Sequence, residues 1–305
     1  MSATVIFHKA DWDGLFCEQI ARKFLPSDTI FIGWEFGDNP LPIPQGAIYV
    51  LDLPFDLVFG LDYSKEPANV LADEILNNIL WFDHHRSSIK SLPTTVRGYR
   101  LDGVAACRLI WQWFSPTDDL PGLPTKENFI NREVSEPVAV CLAGEYDVWD
   151  HRGDGDIEFQ FGLDARSSKE NMLGLNWHLL LSNIDRSGAY VAETISAGTF
   201  AMRCYAKRDA DIMRDRSFIL EFEGLKFLAL TTARCNSNTF AAKDVPETGH
   251  DALMAFYYNG RTWVVSLYHA KHRTDIDLSQ IAVKYGGGGH PGAAGYQVEK
   301  LPFIR

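Results

Sequence analysis

Four stretches of this 305-residue chain place carboxylates and imidazoles where an apolar run stops. Thr4-Val5-Ile6-Phe7 leads to His8, Asp11 and Asp13, and Ala47-Ile48-Tyr49-Val50-Leu51 leads to Asp52. Ile79-Leu80-Trp81-Phe82 runs into Asp83, His84 and His85, and the apolar segment 138–144 into Glu145, Asp147, Asp150 and His151. Brought together, so many carboxylates would repel one another and shift upward in pKa unless a cation neutralised them. Oxygen and imidazole donors without thiolate suit Mn2+ or Mg2+ better than structural zinc. Two such ions about 3.5–4 Å apart, bridged by a shared carboxylate, form a hydrolytic clamp for phosphate esters.

The elements that would position these groups follow from the apolar pattern. Short continuous apolar runs read as strands buried on both faces, as in a parallel sheet, and open α/β sheets keep their sites at the carboxyl ends of the strands. Strands are expected over 5–7, 29–34, 47–51 and 79–82. Leu15, Phe16, Ile20, Phe24 and Leu25 have helical spacing, with Asp13 as the expected N-cap and Pro26 as the stop. A second helix is expected over 68–77, so the β–α alternation predicts a doubly wound, mostly parallel sheet. A helix over 104–114 follows Asp102-Gly103, and its first amides would either meet a phosphate or simply be capped. Segment 138–144 reads as a buried helix running into the fourth acidic cluster; acids at a helix C-terminus oppose the macrodipole and call for a nearby positive charge.

Residues 173–205 read mostly as helix, and 203–216 as a charge-rich connector. The expected organisation is a catalytic domain over 1–185, a helical linker over 186–216 and a smaller α/β domain over 217–305. In the last, strands are expected over 218–222, 225–230, 252–258 and 262–267, with a hairpin turn at Asn259-Gly260 and a helix over 278–285. Gly286, Gly287, Gly288, Gly289 and His290 follow, then Ala293-Ala294-Gly295 and a final strand near 296–298. Glycine is costly to order, so the tract reads as a loop that something approaches closely, its amides forming an anion-binding concavity.

Composition narrows the partners. Lys plus Arg number 29 against 40 Asp plus Glu, a net charge of −11, which disfavours a long nucleic-acid duplex without a basic stripe. No apolar run reaches the roughly 18–20 residues of a membrane span, and residues 1–5 show no secretory pattern. A cytoplasmic enzyme is expected, with no membrane partner. The five scattered cysteines include no C-x-x-C pair and argue against a disulfide framework or thiolate zinc.

Taken together, His8/Asp11-Trp12-Asp13-Gly14, Asp52 with Pro54, Asp83-His84-His85, Asp147 with Trp149, and Gly286–His290 followed by Ala293-Ala294-Gly295 resemble the DHH phosphoesterase superfamily. The resemblance is to the branch with a DHH-associated C-terminal domain, and most to its short-oligonucleotide ribonucleases (nanoRNases). It implies two metal ions, Mn2+ or Mg2+, with His8, Asp11 and Asp52 holding one and Asp13, Asp52, His84 and Asp147 the other. Asp52 would bridge them across a shared hydroxide, His85 would touch the phosphate or assist the leaving group, and Asp83 would orient an imidazole. Gly287, Gly288, Gly289 and His290 would bind the far end of the substrate. Many members carry an Arg in a Ser-x-Arg context where this chain reads Ser266-Leu267-Tyr268, so Tyr268, Lys271 or Arg273 is expected to take that place. Many also have one more residue between the equivalents of His8 and Asp11.

The implied activity is hydrolysis of short oligoribonucleotides to 5′-mononucleotides. Alternatives are a linear or cyclic dinucleotide phosphodiesterase, a 3′-phosphoadenosine-phosphate phosphatase, a RecJ-like single-strand DNA exonuclease, or a nucleotide sensor without turnover. The expected partner is a short single-stranded oligonucleotide or dinucleotide; a homodimer is compatible with the sequence.

Overall fold

The computed structural model describes residues 3–61, 76–118, 120, 122–167, 174–182, 185–232 and 249–303. Most of the helix expected over 68–77, and Cys235, lie outside the described residues. The chain divides into two compact units, Met1–Ala201 and Met202–Arg305.

The first unit runs β1 (Thr4–His8), α1 (Trp12–Phe24), β2 (Ile30–Trp34), β3 (Ile48–Leu51), α2 (Phe55–Phe59), β4 (Ile79–Asp83), α3 (Arg86–Ser91) and β5 (Arg97–Arg100). It continues through α4 (Ala106–Phe114), α5 (Lys126–Ile130), α6 (Val138–Asp147), α7 (Asp156–Arg166), α8 (Trp177–Leu180) and α9 (Asp185–Arg216), whose last part belongs to the second unit. Among the described residues the strands form one sheet in the order β2-β1-β3-β4-β5, every pair parallel. The three central strands, β1, β3 and β4, are mainly apolar because both of their faces are covered. Val5, Phe7, Leu51, Leu80 and Phe82 pack on one side with residues of α1, α4, α6 and α7. Ile6, Ile48, Val50, Ile79 and Trp81 pack on the other with Phe55, Val58 and Phe59 of α2. The α/β architecture expected from the sequence, a parallel sheet wound on both faces, is therefore the one found.

One expectation is corrected. Asp11, not Asp13, caps α1, accepting from Gly14 N at 2.9 Å. Asp13 lies inside the first turn, where its carboxylate is free for a more distant partner. The helix over 138–144 runs on into the acidic cluster, as expected, and ends at Asp147.

A buried ion pair ties α4 to the residue that precedes the cap of α6. The Arg108 guanidinium donates to Glu136 through Nε at 2.8 Å, and its stem crosses Gly144, where a Cβ would stand 2.6 Å from Arg108 Cδ.

The second unit comprises β6 (Ser217–Phe222), β7 (Leu225–Thr231), β8 (Ala252–Tyr258), β9 (Trp263–His269), α10 (Leu278–Lys284), β10 (Gly288–His290) and β11 (Ala293–Val298). Its sheet has the order β10-β11-β9-β8-β7-β6, antiparallel except for β7–β8. Leu278 and Ala282 of α10 pack on one face with Phe227, Met254, Phe256, Val265 and Tyr296. The Asn259-Gly260 turn is a four-residue loop rather than a two-residue one, because the Asn259 side chain gathers the amides of Arg261 (2.9 Å) and Thr262 (2.8 Å).

The glycine tract is also less open than its composition implies. Gly286, at φ 80°, and Gly287 close α10: their amides reach Val283 O (3.0 Å) and Ala282 O (2.9 Å), the paired bonds of a left-handed helix stop. A Cβ on Gly287 would lie 2.0 Å from Gly295 O, and one on Gly289 2.6 Å from Ala293 O. Packing therefore explains part of the tract, and β10 makes its second half an edge strand instead of a loop.

At Gly14 an added Cβ would fall 1.9 Å from His8 O, so only glycine lets α1 close onto the end of β1. Gly14→Ala is expected to destabilise the chain by about 3 kcal/mol, the upper range of overpacking. Gly188→Ala, on α9 with open space around it, should be neutral or slightly stabilising. Denaturant midpoints of the two variants check this; an unchanged midpoint for Gly14→Ala would contradict the packing.

Candidate metal centre

β1, β3 and β4 lie side by side and parallel, so their carboxyl ends stop together. Phe7 pairs with Leu51 and Leu51 with Phe82, which makes His8, Asp52 and Asp83 the next row across the three strands. Neighbouring strands are about 4.8 Å apart, within reach of a shared ligand.

Asp52 leaves β3 with a left-handed φ of 56°, its amide donating to Phe82 O at 2.8 Å. A non-glycine residue in that region is uncommon, and such strain persists where the surroundings hold it. The turn points its two buried carboxylate oxygens at different partners. Oδ2 lies 3.3 Å from His8 Nδ1, and Oδ1 lies 3.3 Å from His84 Nε2.

Each remaining acid is held by a different element. Asp11 uses Oδ1 for the helix cap and sets Oδ2 2.6 Å from His8 Nδ1. Asp13 accepts Ala106 N on Oδ2 (2.9 Å) and Cys107 N on Oδ1 (2.7 Å), the first amides of α4. Those amides are thus already satisfied by a carboxylate, so the phosphate alternative for this helix start is not what these two donors do. Asp13 Oδ2 is also 3.7 Å from His84 Nε2, and Asp147 Oδ2, at the end of α6, is 3.2 Å from the same nitrogen. Asp83 Oδ1 collects His84 N (2.8 Å) and His85 N (3.1 Å) and lies 2.7 Å from His85 Nδ1.

Of the fourth acidic cluster only Asp147 enters this set. Glu145 is buried against Arg132, with Nε at 2.9 Å and Nη2 at 2.6 Å. Asp150 pairs with Arg152, and His151 Nδ1 is 2.5 Å from Asp156 Oδ2. The charges expected to need a cation there have guanidinium partners instead.

Among the described residues, three groups place one donor atom per residue within 4.8 Å of one another: His8, Asp11 and Asp52; Asp13, His84 and Asp147; Asp52, His84 and His85. Asp52 Oδ1 and Asp147 Oδ2 are buried without a hydrogen bond of good geometry, although both lie close to His84 Nε2. Buried acceptors left in this way are costly and fit an electrophilic partner. The donor set, carboxylate oxygen and imidazole nitrogen without sulfur, suits Mn2+ or Mg2+.

The electrostatics tell the same story. Burial would lower His8, but the carboxylates of Asp11 and Asp52 outweigh it and push it up to about 11. His84 is likewise raised against its burial, by Asp147 and Asp52. Asp13 is raised by burial and by the charges of Asp52 and Asp147, and Asp147 is pushed up to about 6, first by burial and then by Asp11 and Asp52. Burial would raise Asp52 too, yet His8 and His84 hold it well below the carboxylate range. Without a cation, protons on the imidazoles hold the cluster together.

In the second unit, Tyr268 pairs in register with both Leu253 and Ala293, and Ala293 pairs with His290. Paired residues share a sheet face, so Tyr268 and His290 stand on one face with the small Ala293 between them. Tyr268 packs there beside Leu228, Leu253 and Met213. Arg273 is engaged by Asp251 and, through Nε at 2.9 Å, by Asp275, while Lys271 is exposed. Gly288 stands in open space, with nothing within 4 Å of an added Cβ.

One residue at the rim of the metal centre carries no signal in the sequence. Phe36, in the loop after β2, has its ring centroid 5.5 Å from His8 and 6.3 Å from His85. A lone aromatic in a Gly/Pro-rich loop has no periodicity to mark it.

No protein-family model matches the chain. No curated protein matches it by sequence. Among similar solved structures is the DHH domain of a member of the s1p family of ribosomal proteins, at 13% identity and a TM-score of 0.49, over 98% of this chain and 83% of that one. Another is the pGpG-specific phosphodiesterase PggH from Vibrio cholerae, at 15% identity and a TM-score of 0.44, over 98% and 94%. A third is RecJ in complex with Mn2+ from Thermus thermophilus, at 13% identity and a TM-score of 0.48, covering 99% of this chain and 50% of RecJ. The likenesses are distant, and the chemistry of the site is set by the residues described above. Among the described residues, no helix is long and apolar enough to cross a membrane.

A cation entering this cluster is expected to displace protons from His8 and His84, since neighbouring carboxylates raise both above the ordinary imidazole value. Mn2+ affinity is therefore expected to rise with pH, about tenfold per pH unit for each proton displaced. Calorimetric titration of the cation-free protein in buffers of different ionisation enthalpy reads both quantities. Affinity independent of pH, with no proton released, would contradict the assignment.

Proposed function

We propose that this chain is a metal-dependent phosphodiesterase of the DHH type that hydrolyses short oligoribonucleotides to 5′-mononucleotides. The observation that carries the reading is Asp52, whose two oxygens face His8 and His84 and so belong to two neighbouring donor groups. His8, Asp11 and Asp52 would hold one cation, and Asp13, Asp52, His84 and Asp147 a second. Bound there, Mn2+ or Mg2+ would neutralise charge on the phosphoryl oxygens and acidify an attacking water.

The protein's own groups supply the rest. Asp13 is fixed by two α4 amides and Asp11 by its cap bond, so neither carboxylate need reorganise when substrate arrives. His85 is positioned by Asp83 at 2.7 Å. Burial would lower its pKa, but the Asp83 carboxylate prevails and pushes it up to about 9, so the ring holds a proton at neutral pH. With Nδ1 committed to Asp83, Nε2 is the atom through which His85 would pass a proton to the departing ribose oxygen. The acidic chain, with a net charge of −11, favours a short substrate gripped by few groups over a long strand. His290, Gly288 and Tyr268 remain the candidates for the second unit's share of substrate binding.

Mn2+-loaded protein is expected to release 5′-mononucleotides from labelled di- to pentaribonucleotides, and no release at any length would overturn the reading. Product analysis with linear and cyclic dinucleotides, 3′,5′-bisphosphates and single-stranded DNA separates the alternatives. Asp52→Asn should lower turnover about a thousandfold, the several kcal/mol a bridged cation centre supplies.

A pH profile tests His85 separately. The acid must be protonated to act, so activity falls as pH rises through the His85 pKa, which the Asp83 carboxylate raises above the ordinary imidazole value. Asp83→Asn removes the charge that raises it and should move that alkaline limb toward the ordinary imidazole value of about 6.5. An alkaline limb that stays in place would exclude His85 as the proton donor.

A further inference from the structure

β2 ends at Trp34, and the chain turns at once through Glu35, Phe36, Gly37 and Asp38. Asp38 fastens this turn. Its Oδ2 accepts from Lys9 Nζ at 2.7 Å and from Glu35 N at 3.2 Å, while its own amide donates to Glu35 O at 3.0 Å. Gly37 takes φ 103° with open space around it. Phe36 is thereby presented from a built turn rather than a slack one. The buried Trp34 backs its ring at 6.0 Å, and the His8 and His85 rings stand nearly perpendicular to it, each at 73°.

Phe36 nevertheless remains 47% exposed. A phenyl ring left half open to water, held beside a cluster of charged groups, gains little from folding and much from a flat apolar partner. Any phosphate ester that reaches His8 and His85 must arrive next to it. The sugar and phosphate of such a ligand have no π-face, whereas every nucleobase has one, and base–aromatic stacking tolerates any base.

The geometry points to Phe36 as the platform on which the nucleobase adjoining the scissile phosphate stacks. The assignment rests on the phosphodiesterase reading above and adds to it the residue that favours nucleotides over other phosphate esters. Phe36 acts on binding, not on bond cleavage.

The test is calorimetric binding of 5′-AMP and of ribose 5-phosphate to the Mn2+-loaded protein, with Mn2+ affinity measured separately on each variant. Wild type is expected to prefer AMP by about 5- to 100-fold, the range base stacking spans. Phe36→Ala should lose that preference while keeping its affinity for Mn2+ and for ribose 5-phosphate, and Phe36→Trp should retain it. An unchanged preference in Phe36→Ala overturns the assignment. So does an equal loss of both ligands, which would mean that the ring only props His8. If wild type binds neither ligand, the phosphodiesterase reading fails together with the assignment; binding of both without preference fails the assignment alone.

Discussion

One buried carboxylate organises the first unit. Asp52 stands at the carboxyl end of the central strand pair, in a backbone conformation seldom adopted outside glycine, and divides its oxygens between two imidazoles. Its neighbours cannot move independently of it. His8 is committed by β1, His84 by the turn that Asp83 ties together, and Asp13 by α4. The resulting concentration of negative charge is tolerable because imidazolium protons balance it when cations do not.

The parallel sheet and its polar rim were legible in the sequence because two independent patterns coincide there. Strands buried on both faces need unbroken apolar runs, so β1, β3 and β4 announce themselves, and the polar residue that ends each run marks the same sheet edge. Parallel pairing turns that pattern in the sequence into proximity in space. Asp147 was legible for a weaker reason. An acid at the end of an apolar helix suggested an opposing charge, and that argument failed for its neighbour Glu145, where Arg132 supplies the charge from outside the motif.

What was hidden depends on distant partners. Asp13 sits where a local cap would be expected, yet its bonds run to amides 93 and 94 positions away. No local rule distinguishes a carboxylate that caps its own helix from one that caps another. The glycine tract also has packing roles that its composition does not reveal. Beside the ligand that its composition suggests, Gly286 and Gly287 stop a helix and Gly289 makes room for β11. Phe36 was silent because a single exposed aromatic in a loop has meaning only once the rings around it are known.

The long-range bonds of Asp13 also bear on the order of assembly. Its carboxylate acquires its final orientation only when α1 has docked against the start of α4, so a growing chain that has exposed only β1 and α1 lacks the bonds that set Asp13 among the other donors. Premature capture of a divalent ion by the first acids would then be weak and reversible. On the proposed reading, tight binding would become available only when the sheet and its covering helices come together, and cation uptake would report on finished folding.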